Sequence, residues 1–166
     1  MGKIKFKTVK DNISKTRRSI EGLNGKRVNV GVIGENAWLA GIHEYGCRIK
    51  VTEKMRAWLH ANGLHLRKET TEIVIPERGF LRNGFDECHK EVINKTMRFL
   101  PMVLDGNMSG EILCGFAGLE LSIKIKEYSR ELSNPANHPF TVARKGSANP
   151  LVNTGNMINS ISYEVE

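Results

Sequence analysis

The groups in this chain that could do chemistry are five histidines, eighteen acids and three cysteines, and their spacing decides their use. His43-Glu44 opens like the zinc-protease pattern HExxH, but that pattern needs a second histidine at position 47, where Cys47 stands. His43, His60, His65, His89 and His138 are scattered and share no metal-ligand spacing. Glu77 with Asp86 or Glu87 would make a carboxylate pair for acid–base work, yet Arg78 and Arg82 lie beside them, so salt bridges are expected instead. Cys114 sits in an apolar stretch with no basic neighbour to activate a thiolate. Gly31-Val-Ile-Gly34 and Gly22-Leu-Asn-Gly25-Lys26 match the spacing of neither a dinucleotide fingerprint nor a P-loop. The residues therefore give no catalytic group, no metal site and no cofactor, and His43 is expected to be a structural histidine.

Around these groups, 166 residues suffice for one domain with a sizeable core. Mean hydropathy is -0.34, and no apolar run approaches the roughly 18 residues that cross a bilayer. The first residues carry lysines without an apolar segment behind them, and Phe6 stands where a myristoylation signal wants Ser or Thr, so synthesis in the cytoplasm is expected. Cys47, Cys88 and Cys114 are odd in number and far apart, which excludes a disulfide framework and predicts free thiols.

Charge is more informative once located. Residues 1–34 hold nine lysines and arginines against two acids, and residues 35–166 balance to zero. The whole excess of +7 thus belongs to a basic arm containing Lys3, Lys5, Lys7, Arg17 and Arg18. Such an arm attracts phosphate backbones or an acidic protein surface, or simply stays solvated. Only Phe6 interleaves it, too little for a base-stacking platform.

The pattern predicts an α+β fold: a small mixed or antiparallel sheet packed on two long helices, with an inserted strand–helix–strand at 47–75. Lys3 to Val9 alternates like a short strand, and Asp11 to Leu23 reads as a helix with Ile13, Ile20 and Leu23 on one face. Arg27 to Gly34 is the clearest strand. Asn36 is placed to cap a helix from Ala37 to Tyr45, with Trp38, Leu39, Ile42 and Tyr45 inward and Gly46 closing it. Cys47–Val51 reads as a strand, Thr52 as the cap of a helix to Ala61, and Leu64–Leu66 and Thr71–Ile75 as extended arms. Phe80 to Leu104 is one long amphipathic pattern that Pro101 either kinks or ends. Ser109 caps the second long helix, to Leu132, with Ile112, Phe116, Leu119 and Ile123 as its core stripe. Residues 133–155, rich in Pro, Gly and Asn, are expected to be irregular. In the closing stretch Pro150 stops the chain, Asn153 or Thr154 caps a helical turn carrying Met157, Ile158 and Ile161, and Ile161 onward alternates like an edge strand. Within this plan Arg78, Phe80 and Arg82 at the strand–helix junction, and Trp58 in the insertion, are either core and junction residues or contacts to a neighbouring subunit.

Three blocks in order carry a resemblance. Ala40-Gly-Ile-His43-Glu44-Tyr45-Gly46, Ile75-Pro-Glu-Arg78-Gly-Phe80-Leu-Arg82 and Pro150-Leu-Val-Asn153-Thr154-Gly155-Asn-Met-Ile-Asn-Ser-Ile161 are similar to motifs of a family of small tailed-phage and prophage virion proteins. The chain departs from them at Gly79, where the family often has proline, and at Asn153, where it often has aspartate. The resemblance implies a non-enzymatic component of the head–tail neck that completes or joins the tail, working as a ring. Its implied partners are copies of itself, neighbouring neck, tail-terminator or tail-tube proteins and, in the lumen, packaged DNA. No membrane and no small-molecule substrate is implied. Its implied location is the virion, with assembly in host cytoplasm. On that reading Trp58, Arg78, Phe80 and Arg82 meet neighbouring subunits, and the arm faces DNA or an acidic ring. The alternative is a small basic DNA-binding protein using residues 1–34, though no helix-turn-helix is recognisable.

Overall fold

A computed structural model of the chain describes residues 12–166; the expected strand at Lys3–Val9 lies outside the described residues. The fold is α+β. Its centre is a long helix, α6 (Gly110–Glu131), which lies between a second long helix and a sheet. The second helix, α4, spans Phe80–Met97, and the sheet joins β1 (Val28–Val32) to β4 (Ile161–Val165). That sheet is antiparallel, with Val28 opposite Val165, Val30 opposite Tyr163 and Val32 opposite Ile161. It has two strands among the described residues.

Helix α6 can lie close to the strands because its inward face is built of small groups. Gly118, Ser122 and Ser129 are buried there beside Leu113 and Ile125. A methyl group at Gly118 would stand 2.7 Å from Tyr163 Cγ and 2.9 Å from Val28 Cγ1, so only glycine permits this spacing. The expected core stripe of α6 is corrected by this packing: Ile112, Leu119 and Ile123 face outward and are exposed, and Phe116 meets Phe99 edge-on with centroids 4.9 Å apart. Ser109 caps α6 as its sequence predicts, its Oγ accepting from Ile112 N at 3.2 Å.

The Phe80–Leu104 pattern is two helices. After α4 the chain breaks at Arg98-Phe99 and restarts as α5 (Leu100–Leu104), with Pro101 in its first turn, where the missing N–H is not needed. Phe85 and Met97 of α4 face outward. At the N-terminal side, α1 (Ile13–Glu21) packs on α5, and Leu23 closes over Gly110.

Helix α2 (Ala37–Tyr45) has the predicted bounds but a different inward face. Ala40 and Glu44 are buried, and Trp38 and Tyr45 are exposed. Asn36 does not cap it; its Nδ2 donates instead to Ser160 Oγ at 2.7 Å. The insertion is β2 (Cys47–Lys50), α3 (Glu53–Ala61) and β3 (Glu72–Ile75), with β2 and β3 paired antiparallel as a second small sheet. Thr52 caps α3, accepting from Met55 N at 3.2 Å. Leu64–Leu66 forms no strand; the Arg56 guanidinium holds this connection from beneath by donating to Arg67 O at 2.9 Å and Thr70 O at 2.7 Å.

The stretch expected to be irregular contains a helix, α7 (Pro139–Lys145), started by proline and closed by Gly146. The last turn, α8 (Asn156–Asn159), buries Met157 and Ile158 as its spacing predicts. The main core joins them to Ala40, Phe80, Ile125, Leu151 and Ile161.

Candidate functional site

Two of the three sequence blocks meet at the start of α4, and the third packs with them in the main core. Glu44, from the last turn of α2, is 3% exposed and takes the place of a capping side chain. The residue before α4 is Gly79, which has none to offer. Glu44 Oε2 accepts from Leu81 N at 2.9 Å, and Oε1 accepts from Arg82 N at 3.2 Å. These are orphan donors of the first helical turn, whose partial positive charge favours a carboxylate. Arg82 then folds back, its Nε donating to Glu44 Oε1 at 2.8 Å and its Nη2 to Glu77 Oε1 at 2.6 Å. Its guanidinium carbon stands 5.1 Å from the Tyr45 ring centroid. Gly46 lets the chain leave α2 against this cluster, since at φ 71° a Cβ would stand 2.7 Å from Glu77 N and 2.8 Å from Ile75 O.

Arg78 is the other half of the junction, and it is 4% exposed. Its Nη1 donates to His43 Nδ1 at 2.8 Å, its Nη2 to Asn137 Oδ1 at 3.0 Å and its Nε to Pro135 O at 3.2 Å, just after a cis Asn134–Pro135 bond. All three acceptors are neutral. Burial, with Arg78 and Lys145 nearby, lowers the His43 pKa to about 4, so the ring is neutral near pH 7. An arginine can only donate, so Nδ1 must be the acceptor and the ring proton sits on Nε2.

The closing block is tied in by Asn149, which precedes Pro150. Asn149 Oδ1 accepts from Leu151 N at 2.8 Å and Val152 N at 2.9 Å, and Nδ2 donates to Arg130 O at 2.7 Å and Leu132 O at 3.1 Å. One side chain thus closes the turn and satisfies carbonyls at the end of α6. The Lys145 ammonium donates to Asn149 O. Pro150 is buried behind it. The cap of α8 is shared by Gly155, left-handed at φ 83°, and by Thr154, whose Oγ1 accepts from Asn156 N at 3.4 Å; Asn153 is exposed and not at the cap.

Between α2, α7 and this closing turn lies a cleft of about 590 Å³. His43, Asn137, Arg144 and Lys145 line it with Leu39, Phe140 and Met157. Arg144 is held at its edge, stacked 4.9 Å from the Trp58 ring centroid and donating to Asn62 Oδ1 at 2.7 Å. These contacts link α7 to α3.

Of the residues expected to meet neighbouring subunits, Phe80 has no exposed surface and Arg78 almost none, because both fill the α2–α4 junction. A neighbour can reach Trp58, which is 51% exposed, and Arg82. Arg17 and Arg18 are exposed on α1, with Arg17 Nε bonded to Glu21 at 3.0 Å; Lys3, Lys5 and Lys7 lie outside the described residues. Sequence reasoning missed Asn149, Asn137, Arg144 and Lys145. Asn before proline is a turn signal that could have found Asn149; nothing local marks the others. Among the described residues no three His, Cys, Asp or Glu side chains could hold a metal, and no helix is long and apolar enough to cross a membrane. In comparisons with known proteins, no family model, curated protein or solved structure matches the chain.

Proposed function

We propose that this chain is a structural virion protein of a tailed phage or phage-like particle, acting at the head–tail neck as a tail-completion or joining component in a ring of identical subunits. One observation carries the reading. The three blocks on which the family resemblance rests come together in space: His43–Arg78 and Glu44–Arg82 join the first two, and Leu151, Met157, Ile158 and Ile161 of the third share one core with Ala40 and Phe80. Their packing together gives their joint occurrence in order a structural reason and supports the reading. What they build is a rigid base for the β2–α3–β3 extension, a shape suited to clasping a neighbour.

A closing ring needs two different complementary faces on each copy. The extension with Trp58 and Arg82 supplies one. The outward apolar side chains of α4 and α6, Ile93, Met97, Ile112, Leu119 and Ile123, supply the other. The basic arm, including Arg17 and Arg18, then faces the DNA-filled lumen or an acidic partner ring.

The native mass by light scattering, with negative-stain imaging of the same sample, tests this. Closed rings, alone or on addition of purified tails, are expected. A monomer that ignores tails but binds DNA with strong salt dependence would replace the reading with that of a small basic DNA-binding protein. Charge reversal at Lys3, Lys5, Lys7, Arg17 and Arg18 that leaves assembly and DNA retention intact would remove the arm's role.

A further inference from the structure

Several bridging cations among the described residues are matched by carboxylates. Arg82 has Glu44 and Glu77, Lys95 has Glu120, and Lys124 has Glu91 and Glu127. Arg78 differs from these: it is more buried than any of them and, like the half-buried Arg56, bonds only to neutral acceptors. Lys145, on α7, also has only a carbonyl acceptor, and Arg144 beside it has an amide. No aspartate or glutamate lines the cleft, which Arg144 and Lys145 border together with His43, the acceptor of Arg78. Positive charge taken from water without a counter-ion is costly at Arg78, and beyond His43 the cleft presents two further cations with no acid to match them.

The chemistry of the missing partner follows from the donors. His43 turns Nδ1 to Arg78 and lines the cleft, and its Nε2–H has no partner among the described residues. It is therefore a neutral donor whose orientation and tautomer are fixed. Lys145 keeps ammonium hydrogens beyond the one given to Asn149, and Arg144 is held in place by stacking on Trp58. Donors arriving from α2 and from α7 suit an oxyanion with acceptors on several sides, as phosphate has. The volume, about 590 Å³, far exceeds a bare phosphate, and Leu39, Phe140 and Met157 give the cleft an apolar wall.

We propose that this cleft binds a phosphate-bearing organic ligand of nucleotide size, with the phosphate on His43, Arg144 and Lys145 and the organic part along Leu39, Phe140 and Met157. The site is independent of the ring reading and stands whether or not rings form.

Binding of inorganic phosphate, deoxyadenosine and deoxyadenosine 5′-monophosphate is measured by calorimetry on the full chain, against chloride at equal ionic strength. The nucleotide is expected to bind at least tenfold more tightly than inorganic phosphate, and the nucleoside not at all. Arg144→Gln and Lys145→Gln are expected to weaken nucleotide binding tenfold or more. Arg144 is exposed, so R144Q keeps the test valid if K145Q folds poorly. A 5′-phosphorylated decanucleotide binding as tightly as the mononucleotide assigns the ligand to DNA ends, and its exclusion assigns it to free nucleotides. The proposal is overturned if phosphate and nucleotide act no differently from chloride, if the nucleotide is no tighter than phosphate, or if R144Q binds as the parent does.

Discussion

Replacing Glu44 by glutamine tests whether one buried carboxylate from α2 starts α4. Glutamine preserves shape but turns one acceptor oxygen into an NH₂ group facing N–H donors at 2.8 to 3.2 Å. Whichever way the amide turns, Leu81 N–H or the Arg82 donors lose their acceptor. Loss of a helix cap costs about 1 to 2 kcal/mol, and a buried donor left unmatched adds about 1 to 3 kcal/mol. The Arg82 side chain is half exposed and keeps Glu77, so the ion pair itself adds little. The total is about 3 kcal/mol, and at roughly 2 to 4 °C per kcal/mol for a chain of this size Tm should fall by about 6 to 12 °C. Thermal unfolding followed by far-ultraviolet circular dichroism at pH 7.5 reads this directly, with Arg82→Gln as the comparison. A Tm for E44Q within about 2 °C of the parent, or an R82Q loss as large as that of E44Q, would refute the capping argument.

Gly118→Ala should destabilise by about 1 to 3 kcal/mol in urea, although alanine is the better helix former, because the methyl meets Tyr163 and Val28; a neutral or stabilising effect would mean that α6 and the sheet part easily. Asn149→Ala should cost about 2 to 4 kcal/mol by the same assay, since it removes the Asx turn and strands the end of α6; its amide protons at Leu151 and Val152 should exchange faster. Stability should fall on acidification from about pH 6.5 toward 4. In that window the unfolded chain protonates His43 and the folded one, with its pKa near 4, does not, so the unfolded state binds more protons. The loss is about 2 to 3 kcal/mol by the bottom of the window; titration of the His43 ring by NMR with a midpoint near 6.5 would contradict it.

Short elements with capped ends were readable in the sequence. Helices α2 and α3 have their predicted bounds because Gly46 and Thr52 mark ends that chemistry enforces. The α6 face was not readable. Periodicity assigns large apolar residues inward, giving Ile112, Leu119 and Ile123, whereas close approach to the sheet selects Gly118, Ser122 and Ser129. Small residues on a helix carry almost no hydrophobic signal, so the better-packed face reads as the polar one. At the junction, His43 and Glu44 were recognisable as a pair without chemistry to do, but their partners Arg78 and Leu81 stand more than thirty residues away. Asn149 was hidden by its neighbour, since Pro150 accounts for a chain stop without help.

The pairing of β1 with β4 has a consequence for a chain still being made. Val32 and its partner Ile161 are separated by well over a hundred residues, and Arg27 and Glu166 exchange backbone hydrogen bonds at 2.9 Å. At roughly 5 to 20 residues per second, β1 leaves the ribosome on the order of ten seconds before its partner exists. Two strands joined by a tight turn would find each other in microseconds. During that wait Val28, Val30 and Val32 present an unfinished edge to every other nascent copy nearby.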